Sequence, residues 1–354
     1  MLYRENGQFK STYASDQQML PILQDRVFMM ALLAFAFFVV PIVTSEYVFL
    51  SLLIPFLILT LAAIGLNILV GYCGQISIGH AAFMAVGAYA AYNLVLRVPQ
   101  LNFLVVLVLS GLIAAAAGAL FGIPSLRIKG LYLAVATLAA QFFMDWLFAR
   151  VKWFTNYAHS GSVQTAPIEL FGWTIESPAE KYLFLLAVLV LFTLVAKNLV
   201  RSHIGREWMA MRDMDVAAEV IGIRPVYAKL TAFAVSAFYC GVAGALWGFV
   251  YLGSWEPLAF NLNLSLNLLF MIIIGGMGSL LGSYLGAAFI VALPIILDQI
   301  PNWLGVPIST ATSSHLASMI FGALIVFFLI VEPLGLARLW AIGKEKLRLW
   351  PFPH

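Results

Sequence analysis

The chain has 354 residues, of which 63% are hydrophobic and only 10% charged. Soluble domains carry about 25% charged residues, so a chain this apolar cannot cover itself in water and reads as a polytopic membrane protein. The net charge of +3 is too small to imply nucleic acid as a partner, and two cysteines in apolar stretches, Cys73 and Cys240, give no disulfide framework.

Residues 1–26 are polar and mixed in charge, with no short apolar core leading to a cleavage site. They predict a cytoplasmic N-terminal segment, not a removable signal. Apolar runs of roughly 17–25 residues are long enough to span a bilayer. They predict about ten helices, near 27–43, 47–70, 79–96, 103–123, 131–149, 182–198, 229–250, 264–281, 283–299 and 316–335. The 264–299 pair is interrupted by Gly275-Gly276-Met277-Gly278 and predicts a broken or re-entrant segment. The predicted fold is therefore all-α, with a membrane domain over 27–335 and a tail over 336–354.

Cytoplasmic loops carry the excess of Lys and Arg. With ten spans and both termini inside, the cytoplasmic pieces are 1–26, 71–78, 124–130, 199–228, a turn near 282, and 336–354. With the helix-end residues Lys197 and Lys229 included, they hold Arg4, Lys10, Arg26, Arg127, Lys129, Lys197, Arg201, Arg206, Arg212, Arg224, Lys229, Arg338, Lys344, Lys346 and Arg348. Only Arg97, Arg150, Lys152 and Lys181 remain outside, a split of 15 against 4 that losing one span before the basic loop would scramble.

The run from Gly71 to Phe83 places three glycines, Gln75, Ser77 and His80 between two apolar stretches. Polar groups at membrane depth are costly unless protein or water surrounds them. Asn67, Gln75, Ser77 and His80 are together the candidate translocation pathway; singly, each polar residue within a span, Asn93, Thr137, Gln141 and Asn267 included, also suits an interhelical hydrogen bond. Gly118 with Gly122, Gly244 with Gly248, and Gly278 with Gly282 and Gly286 have the spacing of close helix-packing faces.

Two extramembrane segments are long. The outer one, 150–181, contains Trp153, His159, Ser160, Pro167, Trp173 and Pro178, and suits either a docking surface or a cap over helix ends. The inner one, 199–228, predicts a short amphipathic stretch broken near Asp213. Trp208, Met211, Val216, Ala217 and Val220 form its apolar side, and Arg206, Arg212, Asp213, Asp215 and Glu219 its charged side. Gly222 ends the helical pattern and Pro225 follows. Such a segment either grips another protein or is a solvated loop.

Several chemistries lack their residues. The only Gly-Lys pair, Gly343-Lys344, is followed by Glu345, so no P-loop is present to cradle ATP phosphates. Glu46, Asp145, Asp298 and Glu332 fall at or near predicted helix ends, whereas an ion-coupled carrier needs a buried carboxylate. No catalytic pair and no metal-ligand cluster stands out, so neither enzyme chemistry nor a metal is expected of this chain.

Residues 65–89, Gly65-Leu-Asn-Ile-Leu-Val-Gly-Tyr-Cys-Gly-Gln-Ile-Ser-Ile-Gly-His-Ala-Ala-Phe-Met-Ala-Val-Gly-Ala-Tyr89, resemble the signature of the permease subunits of branched-chain amino acid ABC importers, closest to the LivM type. Three further segments match in order: Leu126 to Leu138, Ser202 to Asp213 continuing through Ala217-Ala218 and Gly222-Ile223, and Gly275 to Ala287. The resemblance covers roughly residues 47–300. It implies a bacterial inner-membrane protein that binds no cofactor itself. It also implies a homologous LivH-like permease, two cytoplasmic ATPases using ATP and Mg²⁺, and an extracytoplasmic binding protein as partners. Arg206, Trp208, Met211, Arg212, Asp213, Asp215, Ala217, Ala218 and Gly222 then become the coupling element. The outer segment Tyr157 to Pro167 departs from the acidic run that family members often carry there. Relatives handle urea, amides and aromatic acids as well as amino acids, so these remain alternative substrates; a lone ion-coupled carrier is the alternative of another class.

Overall fold

The computed structural model describes residues 23–126, 130–158, 161–170, 172–304, 310–331 and 334–349. The sequence readings at Arg4, Lys10, Arg127, Lys129, His159, Ser160 and Glu332, and those on the side chains of Asp298 and Arg348, lie outside the described residues.

Thirteen helices follow in chain order among the described residues: α1 (Asp25–Val43), α2 (Glu46–Tyr72), α3 (His80–Arg97), α4 (Phe103–Gly122), α5 (Leu131–Arg150), α6 (Pro178–Arg201), α7 (His203–Asp213), α8 (Asp215–Val220), α9 (Pro225–Leu252), α10 (Leu262–Gly275), α11 (Leu280–Leu304), α12 (Thr310–Val331) and α13 (Leu336–Leu349). Eight of the described helices are long and apolar enough to cross a membrane. The protein is thus all-α and polytopic, as its composition required. Among the described residues the sheet content is a pair of two-stranded ribbons in the loops: Val163–Gln164 with Ser254–Trp255, and Ile168–Leu170 with Trp173–Ile175.

α9 is the axis of the bundle, wrapped by α2, α3 and α4, while α10 pairs with α11. Small residues let it sit there. In hydrocarbon no hydrophobic force drives helices together, so packing depends on close backbone approach. A methyl group on Gly87 of α3 would overlap the Gly241 backbone, and one on Gly244 would overlap the Met84 backbone. On the α2 side a Cβ at Gly65 would come within 2.6 Å of Tyr239 Cβ. Gly248 packs on the Trp255 ring, and Gly282 and Gly286 lie on the α10 backbone at Gly275 and Met271.

Several boundaries differ from the sequence expectation, and two of them have a plain local cause. Helix α10 ends at Gly275 and α11 starts at Leu280, so the expected 264–281 span is two elements joined by a turn. Gly276 has φ 122° and Gly278 φ 77°, conformations open to glycine and strained for other residues. Gly278 therefore belongs to the turn and not to a helix-packing face; it approaches the carbonyl of Gly71 and the Arg212 guanidinium. Helix α6 begins earlier than its apolar run, at Pro178. Ser177 Oγ accepts from Glu180 N–H at 3.4 Å while Glu180 Oε2 accepts from Ser177 N–H at 3.3 Å, a reciprocal cap.

Contacts sort the connections into two ends. At one end Arg212 Nη1 donates to Gly71 O (3.0 Å), Gly278 N–H donates to Asn67 Oδ1 (2.8 Å), and Lys344 Nζ pairs with Asp25 (2.9 Å). At the other, the Arg97 guanidinium lies 3.9 Å over the Trp153 ring and Thr165 Oγ1 donates to Gly253 O (2.8 Å). This grouping is the one the charge split assigned to two sides of a bilayer.

The packing makes a direct test. Gly244→Val is expected to destabilise the bundle by about 1–3 kcal/mol or more through overpacking against Met84. Gly343→Ala, in α13 with nothing within 4 Å of the added methyl, is expected to be neutral or stabilising by up to about 1 kcal/mol. Thermal unfolding of the detergent-solubilised chain, followed by size-exclusion fluorescence, reads both; equal melting temperatures for the two variants would contradict the α3–α9 contact.

Candidate functional site

The segment between α2 and α3 is irregular from residue 73 to 79 and returns into the bundle, with Gln75 and Ser77 buried. Helix α3 then starts at His80 after a glycine that offers no side-chain cap. Its first N–H groups would be orphans in a dry interior. They are met from other helices. Ile78 N–H donates to Thr137 Oγ1 (3.0 Å), Ala81 N–H to Ser265 Oγ (2.8 Å) and Ala82 N–H to Gln141 Oε1 (2.7 Å). Gln141 is itself fully used. Its Oε1 also accepts from Ser265 Oγ (3.0 Å), and its Nε2 donates to Phe260 O (2.8 Å) and Asp145 Oδ1 (3.0 Å). The start of α3 is thus clamped by α5 and α10.

The candidate pathway residues fall into two groups. Asn67 is completely buried and spent on the 276–279 turn: its Nδ2 donates to Ser279 O (2.8 Å) and Ser283 Oγ (2.9 Å), while its Oδ1 accepts from Gly278 N–H. Ser77 Oγ and His80 Nδ1 share a hydrogen bond of 2.7 Å, and His80 Nε2 and Ser236 Oγ one of 2.8 Å. These three therefore stitch α2, α3, α9 and α11 together. Gln75 stands apart, with both amide atoms buried and without a hydrogen-bond partner among the described residues.

Ser236, Ser265, Ser279 and Ser283 complete this network and were not singled out in the sequence. A serine within an apolar helix carries no positional signal, since its own backbone can satisfy the hydroxyl. Asn93, which the sequence did single out, donates to Tyr89 O (2.9 Å) and Phe154 O (3.1 Å) near the opposite end.

The inner segment forms α7 and α8, broken at Met214 as the pattern near Asp213 predicted. The apolar side of α7 turns inward. Trp208 is fully buried and donates from Nε1 to Thr231 Oγ1 of α9 (3.1 Å), and Met211 is buried beside it. Both were expected as anchors for a partner; instead they fasten α7 to its own bundle, because Gly205 lets α7 pack tightly on the Val200 backbone. Arg212 completes the fastening through Gly71 O, with its Nε paired to Asp213 at 2.9 Å. Ala218 is buried, while Arg206 and Ala217 are exposed and Asp215 is half-buried. Gly222, at φ 95°, turns the chain out of α8. What faces outward keeps Val216 and Val220 of the expected apolar side and adds Met214 and Ile221.

Cys73 begins the irregular segment. Burial pushes its thiol up to about 12, against the opposing influence of the Lys229 ammonium close by. Among the described residues no group of His, Cys, Asp and Glu could hold a metal ion.

Comparison with known proteins gives the class. Residues 48–329 match the family model described as branched-chain amino acid transport system, permease component. The chain is 31% identical over 307 residues to the high-affinity branched-chain amino acid transport system permease protein LivM of Salmonella typhimurium, covering 79% of this chain and 68% of that one. The Escherichia coli protein of the same name gives the same identity and coverage. A probable branched-chain amino acid transport permease protein LivM of Methanocaldococcus jannaschii is 21% identical over 78% of this chain and 89% of its own. No solved structure matches. The chain belongs to the branched-chain amino acid transport permease family and is a multi-pass transport subunit.

The clamp at α3 generates a test. Gln141→Leu keeps the volume but leaves Phe260 C=O without its Gln141 donor and Ala82 N–H with only its 3.2 Å bond to Gly79 O, and is expected to cost about 1–3 kcal/mol. Hydrogen exchange should reveal it first at Ala81 and Ala82; unchanged protection there would mean that the clamp does not hold the helix.

Proposed function

We propose that the chain is the permease subunit of an ATP-driven importer in the bacterial cytoplasmic membrane, moving a branched-chain amino acid inward by alternating access. The family and the names of its relatives support the substrate class. The observation that carries the mechanism is the attachment of the α7–α8 pair. One face is fastened to α9 and Gly71 through Trp208 and Arg212, and the other presents Met214, Val216, Val220 and Ile221 to a partner.

That arrangement suits transmission of force. A partner ATPase gripping the exposed face moves α7, and α7 pulls on the end of α2 and the start of α9. Those ends adjoin the 73–79 segment and the 276–279 turn, which Asn67 and Arg212 hold together. Closure of two ATPases on ATP and Mg²⁺ would then shift the helices around the solute route. A binding protein delivers solute at the opposite end, onto the loop that carries Trp173, and a homologous permease forms the other half. The substrate alternatives of urea, amide or aromatic acid have no specific observation in their favour.

Two measurements test this. Val220→Asp places a charge in the exposed patch and is expected to weaken ATPase binding by about 2 kcal/mol or more, roughly thirtyfold. Leu258→Asp, on an exposed residue at the other end, is expected to leave it unchanged. Co-purification of the ATPase with each variant decides; wild-type recovery with Val220→Asp would make α8 a passive connector. Orientation is read by single cysteines at Glu219 and Trp173 in a chain lacking Cys73 and Cys240. An impermeant thiol reagent is expected to label position 173 and spare position 219 in intact cells, and the reverse pattern would invert the topology.

A further inference from the structure

A cleft of about 350 Å³ opens where the α7–α8 junction meets the start of α9, the 73–79 segment and the start of α5. That volume falls at the lower end of the roughly 300–1,000 Å³ typical of small-ligand sites. Two groups on its wall are unspent. Lys229 is only 8% exposed, and among the described residues neither a hydrogen bond nor an ion pair joins its ammonium. Gln75 is 5% exposed and has both amide atoms without a partner. A buried amide left in this state costs free energy that a matching ligand would recover, and the Lys229 ammonium on the same wall supplies positive charge beside it. Arg212, by contrast, is committed to Asp213 and Gly71.

The wall also specifies what the ligand looks like. A carboxylate answers an ammonium and an amide N–H together, with charge-assisted hydrogen bonds. Asp213, although paired with Arg212, and Asp215 add negative charge to the same cleft, which suits a positive group a short distance from that carboxylate. Leu133 and Met211 supply an apolar surface. A zwitterion with an apolar side chain meets all three demands; a simple anion meets one.

We propose that this cleft is a binding site for a free apolar α-amino acid on the cytoplasmic side, its carboxylate held by Lys229 and Gln75. The choice of an amino acid rests on the function proposed above. An occupant ties the start of α9 to the α7–α8 junction, the joint through which the ATPase would act. Released solute that accumulates inside therefore slows further import.

The test uses the assembled importer in nanodiscs without its binding protein, and radiolabelled L-leucine in equilibrium dialysis. Saturable binding is expected. Leucinamide, which lacks the carboxylate, and isocaproate, which lacks the ammonium, are expected to compete at least about tenfold more weakly. These comparisons need no variant, so they do not depend on any substitution folding. Lys229→Gln is expected to weaken leucine binding at least about tenfold, and Lys229→Arg to retain most of it. Absence of saturable binding in the wild type, equal competition by leucinamide, or wild-type affinity in Lys229→Gln would each overturn the site. Leucine uptake by the same complex with its binding protein, in proteoliposomes, reads the import function separately. Failure of uptake with binding intact would count against the import function alone.

Discussion

A helix that begins inside a membrane protein exposes N–H groups that neither water nor lipid can satisfy. Helix α3 begins in that way, after Gly79, which brings no capping side chain. The obligation is met by Thr137 and Gln141 from α5 and Ser265 from α10, so three elements distant in sequence are held in one register. Gln141 then reaches on to Phe260 O and Asp145, which extends the clamp toward the loop before α10. Removing such a group costs more than the bond itself, because the partners stay buried and unpaired. Much of the bundle's geometry follows from this constraint.

The second constraint is steric. Helix α9 touches α3 and α4 through glycine and alanine, with Gly241 against Ala114 and Gly87, and Gly118 against Ala237. Contacts this close transmit displacement, because there is no compressible side-chain layer between the backbones. The fixings of Trp208 to Thr231, near the start of α9, and of Arg212 to Gly71, at the end of α2, connect α7 to that rigid unit. A surface helix that appeared in the sequence as a partner's handhold is thus half structural. Its buried side anchors, and the neighbouring α8 offers the apolar contact.

The same end of the molecule holds the unspent amide of Gln75. Asn67, Ser77 and His80 are saturated by partners within the chain, while Gln75 and Lys229 border a cleft beside α7. Groups that hold helices together and groups left to meet a ligand therefore lie within a few residues of each other.

Composition, the lengths of the apolar runs and the Lys/Arg distribution determined the class, the position of nearly every helix and the pairing of the loops into two ends. These properties are local, and membrane thickness alone makes them informative. The family was also legible, because the motif from Gly65 to Tyr89 and its three companions stand in order. Only the tertiary structure decided what individual polar and apolar residues do. Asn67 and Gln75 are similar amides eight residues apart, yet one closes a turn and the other lacks a partner among the described residues; the difference lies in Ser279 and Ser283, more than 200 residues away. Trp208 and Val220 share one amphipathic pattern, yet one is fully buried and the other 83% exposed. Periodicity states that a helix has an apolar side, but which element covers that side depends on packing that no local stretch of sequence contains.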